Sequence, residues 1–400
     1  MASAESTAST LPAIPVNSHA AQLMDPFAEP VAAYLHVPFC AHRCGYCDFT
    51  LVAGRNDLAP RYLVALSQQL QTLEKPRPVQ TIFIGGGTPT HLAPGELQQL
   101  LALIDRWFPL PPGGEFTVEA NPAGLSNEKL LILSAGRVNR ISLGVQSFSA
   151  PVLAQLERDH SPAEALDTIA RCRAMFENVS LDLIFGVPGQ SLPCWRETLQ
   201  TAISTGATHL STYGLTFEKG TRFWARREHG DLTPVPNELE AEMYEAAREQ
   251  LTASGFRSYE LSNWAQPGWE CRHNLVYWAG GAYYGFGPGA VGYQQGTRQS
   301  NHRSLFTWLK RIDQRQSPLA DKETLSDLDR AKEMLVIGLR RTAGVDRHSF
   351  RTQTGYDIHD LCGPALLRLQ SQQLIEFDDA LLRLTPAGRL MADTVTVDLL

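Results

Sequence analysis

Tyr34-Leu-His-Val-Pro-Phe-Cys40-Ala-His-Arg-Cys44-Gly-Tyr-Cys47-Asp-Phe49 is the stretch from which the rest of the chain can be read. It begins inside the apolar run 33–37, which reads as a strand, and spaces three cysteines C-x3-C-x2-C in one short loop. Such a loop can gather three thiolates around one metal centre, but it leaves a tetrahedral or cubane site one protein ligand short. A structural zinc asks for four ligands, and neither His36 nor His42 is obviously placed to supply the fourth. A [4Fe-4S] cluster held by three thiolates instead keeps one iron available to chelate a small molecule. Zinc, or three ordinary thiols, are the plainer alternatives, and the surrounding sequence has to decide.

A chain of 400 residues with 43% hydrophobic content buries a substantial core and suggests one large domain with a smaller one. Of the 7 cysteines, Cys172, Cys194, Cys271 and Cys362 are scattered, which is not a disulfide framework. A cluster-bearing loop argues for a reducing compartment, so a cytoplasmic location is expected. The net charge of -7 and the dispersed basic residues exclude an electrostatic footprint for nucleic acid. No run of 18 apolar residues reads as a spanning helix. Residues 1–30, rich in Ala, Ser, Thr and Pro, read as a flexible tail rather than a signal peptide.

From residue 33 onward, short apolar or β-branched runs alternate with amphipathic stretches. Strands are expected at 33–37, 81–84, 116–119, 140–145, 179–185 and 209–215, with helices at 58–73, 95–107, 127–133, 163–176 and 193–205. Strand-then-helix repetition implies a parallel sheet, because each parallel crossover needs a covering helix. Six such units give the predicted fold class, α/β, as a partial (β/α)6 TIM-like barrel occupying residues 31–317. In barrels of this kind ligands bind at the carboxyl ends of the strands. The cysteine loop follows the first strand, Gly85-Gly-Gly-Thr-Pro-Thr90 the second and Glu119-Ala-Asn-Pro122 the third; Gly144-Val-Gln-Ser-Phe148 ends the fourth and Asp182 begins the motif ending the fifth.

Each of these motifs has a physical task and a duller reading. Glycines allow close backbone approach to a ligand, or simply make a turn. Glu119 can pair with an ammonium group, or be a solvated carboxylate. Gln146 and Asp182 can bond ribose hydroxyls or an adenine edge, and Arg158 can meet a carboxylate as a planar fork. For Asp182, inside an apolar run, burial without a partner would be costly, which favours the functional reading.

Taken together, these motifs resemble the oxygen-independent coproporphyrinogen-III-oxidase-like family of radical S-adenosylmethionine proteins, from about residue 33 to the C-terminus. The resemblance implies a [4Fe-4S] cluster on Cys40, Cys44 and Cys47. It also implies S-adenosylmethionine contacts at Tyr34, Tyr46, Gly86, Gly87, Thr88, Glu119, Gln146, Arg158 and Asp182. The oxidase itself resembles C-x3-C-x2-C-x-C, whereas Phe49 stands at the last position here, and the oxidase carries a longer N-terminal segment. Both departures point to the sister group of HemW-type heme chaperones.

A second signature, Cys271-Arg-His273-Asn274-Leu-Val-Tyr277-Trp278, is similar to the heme-associated H-N-x-x-Y-W motif of that group. An imidazole at His273 suits axial ligation of heme iron, and Tyr277 and Trp278 can lie against a porphyrin face. The plainer reading is a packed structural histidine and a turn-forming Asn274 in a Gly/Tyr-rich loop over 280–293. Residues 318–400 read as helices at 325–339, 348–354 and 358–370 followed by a hairpin, a winged-helix-like module without a basic patch. The expectation is a protein that binds heme and passes it to a recipient heme protein at or near the cytoplasmic face of the membrane. Its rival is radical decarboxylation of coproporphyrinogen III propionates to vinyl groups.

Overall fold

The computed structural model describes residues 27–400; the expected N-terminal tail lies, up to residue 26, outside the described residues. All six expected strands form: β1 (Ala32–Val37), β2 (Thr81–Gly86), β3 (Glu115–Ala120), β4 (Arg140–Gln146), β5 (Asn178–Phe185) and β6 (His209–Gly214). They pair in parallel in chain order. The covering helices are α1 (Ala59–Leu70), α2 (Pro94–Trp107), α3 (Asn127–Ala135), α4 (Pro162–Met175) and α5 (Leu192–Ser204). Three of them start where a serine hydroxyl accepts from the first-turn amide three residues on: Ser126 from Lys129, Ser161 from Glu164 and Ser191 from Cys194.

Alternation along the strands decides where the core lies. In β4, Ile141, Leu143 and Val145 alternate with Arg140, Ser142, Gly144 and Gln146. The apolar row joins Leu35, Ile84, Val118 and Leu181 in one buried cluster with helix residues such as Leu66, Leu97 and Ile104. The polar row lies on the opposite face, where the register sets Thr117 beside Arg140, Glu119 beside Ser142, and Asp182 beside both Gly144 and Ser211. The hydrophobic core is therefore outside the curved sheet, under the helices, and the concave side is polar.

The sheet extends beyond the six expected strands. On one side β7 (Asn263–Ala265) pairs antiparallel with β6. On the other, β8 (Tyr283–Phe286) pairs parallel with β1, followed antiparallel by β9 (Val291–Gln294), β10 (Thr297–Asn301) and β11 (Leu319–Thr324). The stretch 280–293 is thus not the loop the glycines suggested. Its glycines serve strand pairing instead: a Cβ at Gly285 would stand 2.0 Å from the carbonyl oxygen of Val291. Because β11 belongs to this sheet, the sheet runs past the expected boundary at 317/318.

The C-terminal module packs helices Asp327–Gly338, Arg347–Thr354 and Ile358–Ser371 against a three-stranded sheet, ordered Val345–Asp346, Leu381–Leu384, Ile375–Phe377. Leu335, Phe350, Ile358, Leu366, Leu382 and Val395 give it a core of its own. The helices absent from the sequence reading include α6 (Asn237–Ala253) and α7 (Arg272–Trp278), which carries the second signature.

Candidate functional site

The cysteine loop leaves β1 and is closed at its base by the parallel pairing of Phe39–Cys40 with Val52–Ala53. All three thiols are free of disulfides. The Sγ of Cys40 lies 3.3 Å from the hydroxyl oxygen of Thr88, and Arg158 Nη1 donates to Cys44 Sγ at 3.6 Å. Burial pushes the Cys44 and Cys47 thiols up, while the Arg158 guanidinium pulls Cys44 back down. Among the described residues no three His, Cys, Asp or Glu side chains close on a single ion. Three thiols with polar partners on Cys40 and Cys44 are a donor set that fits a cubane held by three protein thiolates.

Beside the loop, at the carboxyl ends of β2 to β6, lies a cavity of about 930 Å³ lined by Cys40, Cys44, Cys47, Tyr46, Gly86, Gly87, Thr88, Glu119, Gln146, Arg158 and Asp182. Gly86 has φ +112°, and a Cβ there would meet the His36 ring at 2.5 Å; a Cβ on Gly87 would meet the Phe39 carbonyl oxygen at 2.5 Å. Only glycine fits against these neighbours. Gln146 adopts φ +65° where the β4–β5 register shifts, which costs backbone strain at the rim of the cavity. Arg158 Nη2 donates to Asn121 Oδ1 at 2.7 Å and to the Gly144 carbonyl at 2.9 Å, while its Nε is buried without a partner. Glu119 accepts from the Gly86 amide at 3.0 Å; burial, and then the neighbouring Asp182, push its carboxyl up to about 8. Asp182 is also pushed up by burial and accepts from Ser142 Oγ at 3.2 Å. A guanidinium, two deep carboxyls and side-chain-free glycine backbone beside three thiols fit the amino, carboxylate and ribose groups of S-adenosylmethionine.

Tyr34 is the exception among the expected contacts. Its hydroxyl lies 3.0 Å from His36 Nδ1, and it lines a second cavity of about 650 Å³ with Phe83, Asn274, Tyr277, Trp278 and Tyr283. The two cavities share Asp48, Phe49, Glu119, Ser142, Asp182 and Tyr213 in their walls. Phe49, at 64% exposure, stands at this junction.

The second signature is built differently from its reading as a ligand loop. Glu115 accepts from the amides of Arg272 (2.9 Å) and His273 (3.0 Å), holding the first turn of α7. His273 is 1% exposed; Nδ1 lies 2.9 Å from Thr81 Oγ1 and Nε2 lies 2.8 Å from the Tyr277 hydroxyl. Burial, with the Arg140 charge, pulls its imidazole down to about 3, so it is neutral. Both ring nitrogens of His273, the expected axial ligand, are engaged inside the protein in this structure. Burial also pushes the neighbouring Cys271 thiol up to about 12. Tyr277 and Trp278 do face the second cavity, and the Arg340 guanidinium lies 4.6 Å from the centroid of the Trp278 ring.

Sequence reasoning missed two contributors. Asn121, inside a quoted motif, donates to Thr88 Oγ1 at 2.9 Å and receives Arg158. Residues 389–394 of the C-terminal module also line the larger cavity, for which the sequence carries no local signal.

Known proteins place this architecture. A model of the radical SAM superfamily matches residues 34–202, and one of the HemN C-terminal domain matches residues 325–391. A Bacillus subtilis protein named heme chaperone HemW is 40% identical over 369 residues, spanning 91% of this chain and 97% of that protein. The Bos taurus radical S-adenosyl methionine domain-containing protein 1, mitochondrial, is 35% identical over 94% of this chain and 88% of its own. Among solved structures, coproporphyrinogen III oxidase (HemN) from Escherichia coli has a TM-score of 0.82 over 95% of this chain and 92% of that one. Its 23% identity makes this a likeness of fold. By its sequence relatives, and with a fold that agrees along nearly its whole length, the chain belongs to the HemW family of the radical SAM superfamily.

Proposed function

We propose that this protein binds heme and hands it to a recipient heme protein, while carrying a [4Fe-4S] cluster on Cys40, Cys44 and Cys47 and S-adenosylmethionine in the larger cavity. Family membership supports the heme-chaperone reading, since the Bacillus subtilis relative bears that name. The observation that carries it at residue level is the pair of cavities meeting at Glu119, Ser142 and Asp182, one rich in cofactor-type polar groups and the other walled by aromatic rings. When bound, the cluster supplies the electron that cleaves S-adenosylmethionine.

In this reading Arg158 receives the carboxylate of S-adenosylmethionine and Glu119 its ammonium. Gly86 and Gly87 let its chain pass close to the backbone, and Gln146 and Asp182 bond its ribose or adenine. Tyr46, held edge-on to Phe223 with ring centroids 6.1 Å apart, forms part of the wall. Heme lies against Tyr34, Tyr277 and Trp278, with His273 and Asn274 building the floor rather than ligating iron. Phe49 occupies the position where the oxidase pattern has a further cysteine, which disfavours the decarboxylation rival. The recipient is a heme protein, with a peripheral membrane contact at the moment of transfer; no described helix is long and apolar enough to cross a membrane.

The test is anaerobic reconstitution followed by two parallel measurements: heme titration read at the Soret band, and incubation with coproporphyrinogen III. Saturable heme binding without vinyl products is expected. Steady conversion of coproporphyrinogen would replace this reading with the oxidase.

A further inference from the structure

The concave face of the sheet holds a guanidinium whose fork no described residue pairs. Arg140, on β4, is 2% exposed and lines the aromatic cavity. Its Nε is buried without a hydrogen-bond partner, and its guanidinium makes no hydrogen bond or ion pair with any described residue. Across the β3–β4 ladder stands Thr117, fully buried, whose hydroxyl is likewise unpartnered. Arginine does not shed its proton, so the cation persists in this setting, and buried guanidinium donors without hydrogen-bond partners are costly.

The nearby carboxyls hydrogen-bond to other groups and leave the guanidinium fork without a direct partner. Glu115 is taken by the amides opening α7, Glu119 by the Gly86 amide and Asp182 by Ser142. Burial also favours the neutral forms of Glu119 and Asp182, which weakens them further as counter-charges. Glu115 and Asp182 favour the Arg140 charge through space without pairing its fork, which stays open to an anion that arrives with the ligand.

We propose that Arg140 is the seat of a carboxylate carried on a slender arm of the ligand that occupies the aromatic cavity, a propionate of a tetrapyrrole. This rests on the heme reading of the cavity and adds the group by which the ring is held. A planar carboxylate matches the guanidinium fork. At 2% exposure Arg140 admits only a narrow chain, such as two methylenes ending in a carboxylate, while the flat ring stays against Tyr34, Phe83, Tyr277 and Trp278. The Thr117 hydroxyl, next to Arg140 in the ladder, supplies a neutral donor to the same group.

The experiment compares hemin with hemin dimethyl ester, titrated into cluster-loaded full-length protein and into its Arg140→Met and Arg140→Lys variants. In the wild type, esterification should weaken binding by about tenfold to over a hundredfold, the range for losing one charge-assisted hydrogen-bonded contact. Arg140→Met should weaken hemin by a similar factor and leave the ester unchanged. Arg140→Lys, which keeps the charge without the fork, should retain part of the preference for hemin and serves if the Met variant does not fold. Equal wild-type affinity for hemin and its ester overturns the seat while leaving the heme reading intact. So does an equal loss of both ligands in Arg140→Met. Failure of the wild type to bind either ligand removes the heme reading and the seat with it.

Discussion

Arg158 and Cys44 are 114 positions apart, yet the Arg158 guanidinium donates to the Cys44 sulfur at 3.6 Å. The same side chain holds Asn121 and the Gly144 carbonyl with its other terminal nitrogen. One planar group therefore ties the first strand's loop to the ends of the third and fourth strands. It connects a proposed cluster ligand directly to the floor of the proposed S-adenosylmethionine site.

Arg158→Lys keeps a cation but loses the fork. We expect the iron content of reconstituted protein to survive, and S-adenosylmethionine affinity to fall about tenfold to over a hundredfold, consistent with about 1.5–3 kcal/mol for a charge-assisted contact. Equilibrium binding read alongside iron analysis checks this. Unchanged affinity would assign Arg158 to loop architecture alone.

Replacing any of Cys40, Cys44 or Cys47 with Ser should abolish the cubane's visible absorption, because each supplies one of three protein ligands. Cys172→Ser and Cys362→Ser should retain it, since both thiols lie in apolar packing, Cys172 fully buried under the sheet and Cys362 in the C-terminal core. A retained cubane in Cys44→Ser is the result that rejects the assignment.

Glu119 has a folded pKa raised to about 8, chiefly by burial, against an ordinary value of 4.5. An acid raised in the folded state binds more protons there than when unfolded, so its contribution is fully present below the unfolded value and is lost as pH rises toward 8. Thermal melts of ligand-free protein between pH 5 and 8 should show this fall, and Glu119→Gln should flatten it. Bringing the ammonium of S-adenosylmethionine against Glu119 favours the carboxylate, so binding at pH 7 should release a proton. Calorimetry in buffers of different ionisation enthalpy reads that release; Glu119→Gln should lose it.

His273→Ala removes two hydrogen bonds, to Thr81 and Tyr277, and leaves a cavity in the floor. We expect a loss of about 2–4 kcal/mol in stability, from unmatched buried hydroxyls and lost packing. In protein shown to be folded and cluster-loaded, the heme spectrum should keep its axial signature. A changed signature there would mean that the imidazole rotates out to iron on heme binding.

The strands of the barrel were legible because their signal is local. Alternation such as Arg140-Ile-Ser-Leu-Gly-Val-Gln146 is a property of seven consecutive residues, and no distant partner is needed to see it. The outer strands were not legible. Residues 280–293 are rich in glycine and tyrosine, and it is the close approach of Gly285 to the neighbouring strand, not local propensity, that makes them sheet.

By itself the sequence determined the parallel sheet with its covering helices, and the gathering of the polar motifs on one rim. It also brought three thiols into one loop, since C-x3-C-x2-C spacing confines the sulfurs whatever the rest of the chain does. Only the tertiary structure decided which of the expected residues are available for chemistry. Tyr34 turned out to line the aromatic cavity, and residues 389–394 arrived from another module to line the larger one. His273 found Thr81 at 192 positions' distance and Tyr277 on its other nitrogen, so that both ring nitrogens have partners in this structure. The physical reason is hydrogen-bond saturation: a donor or acceptor is free for a ligand only if no other element brings it a partner, and spacing along the chain does not record which elements will meet.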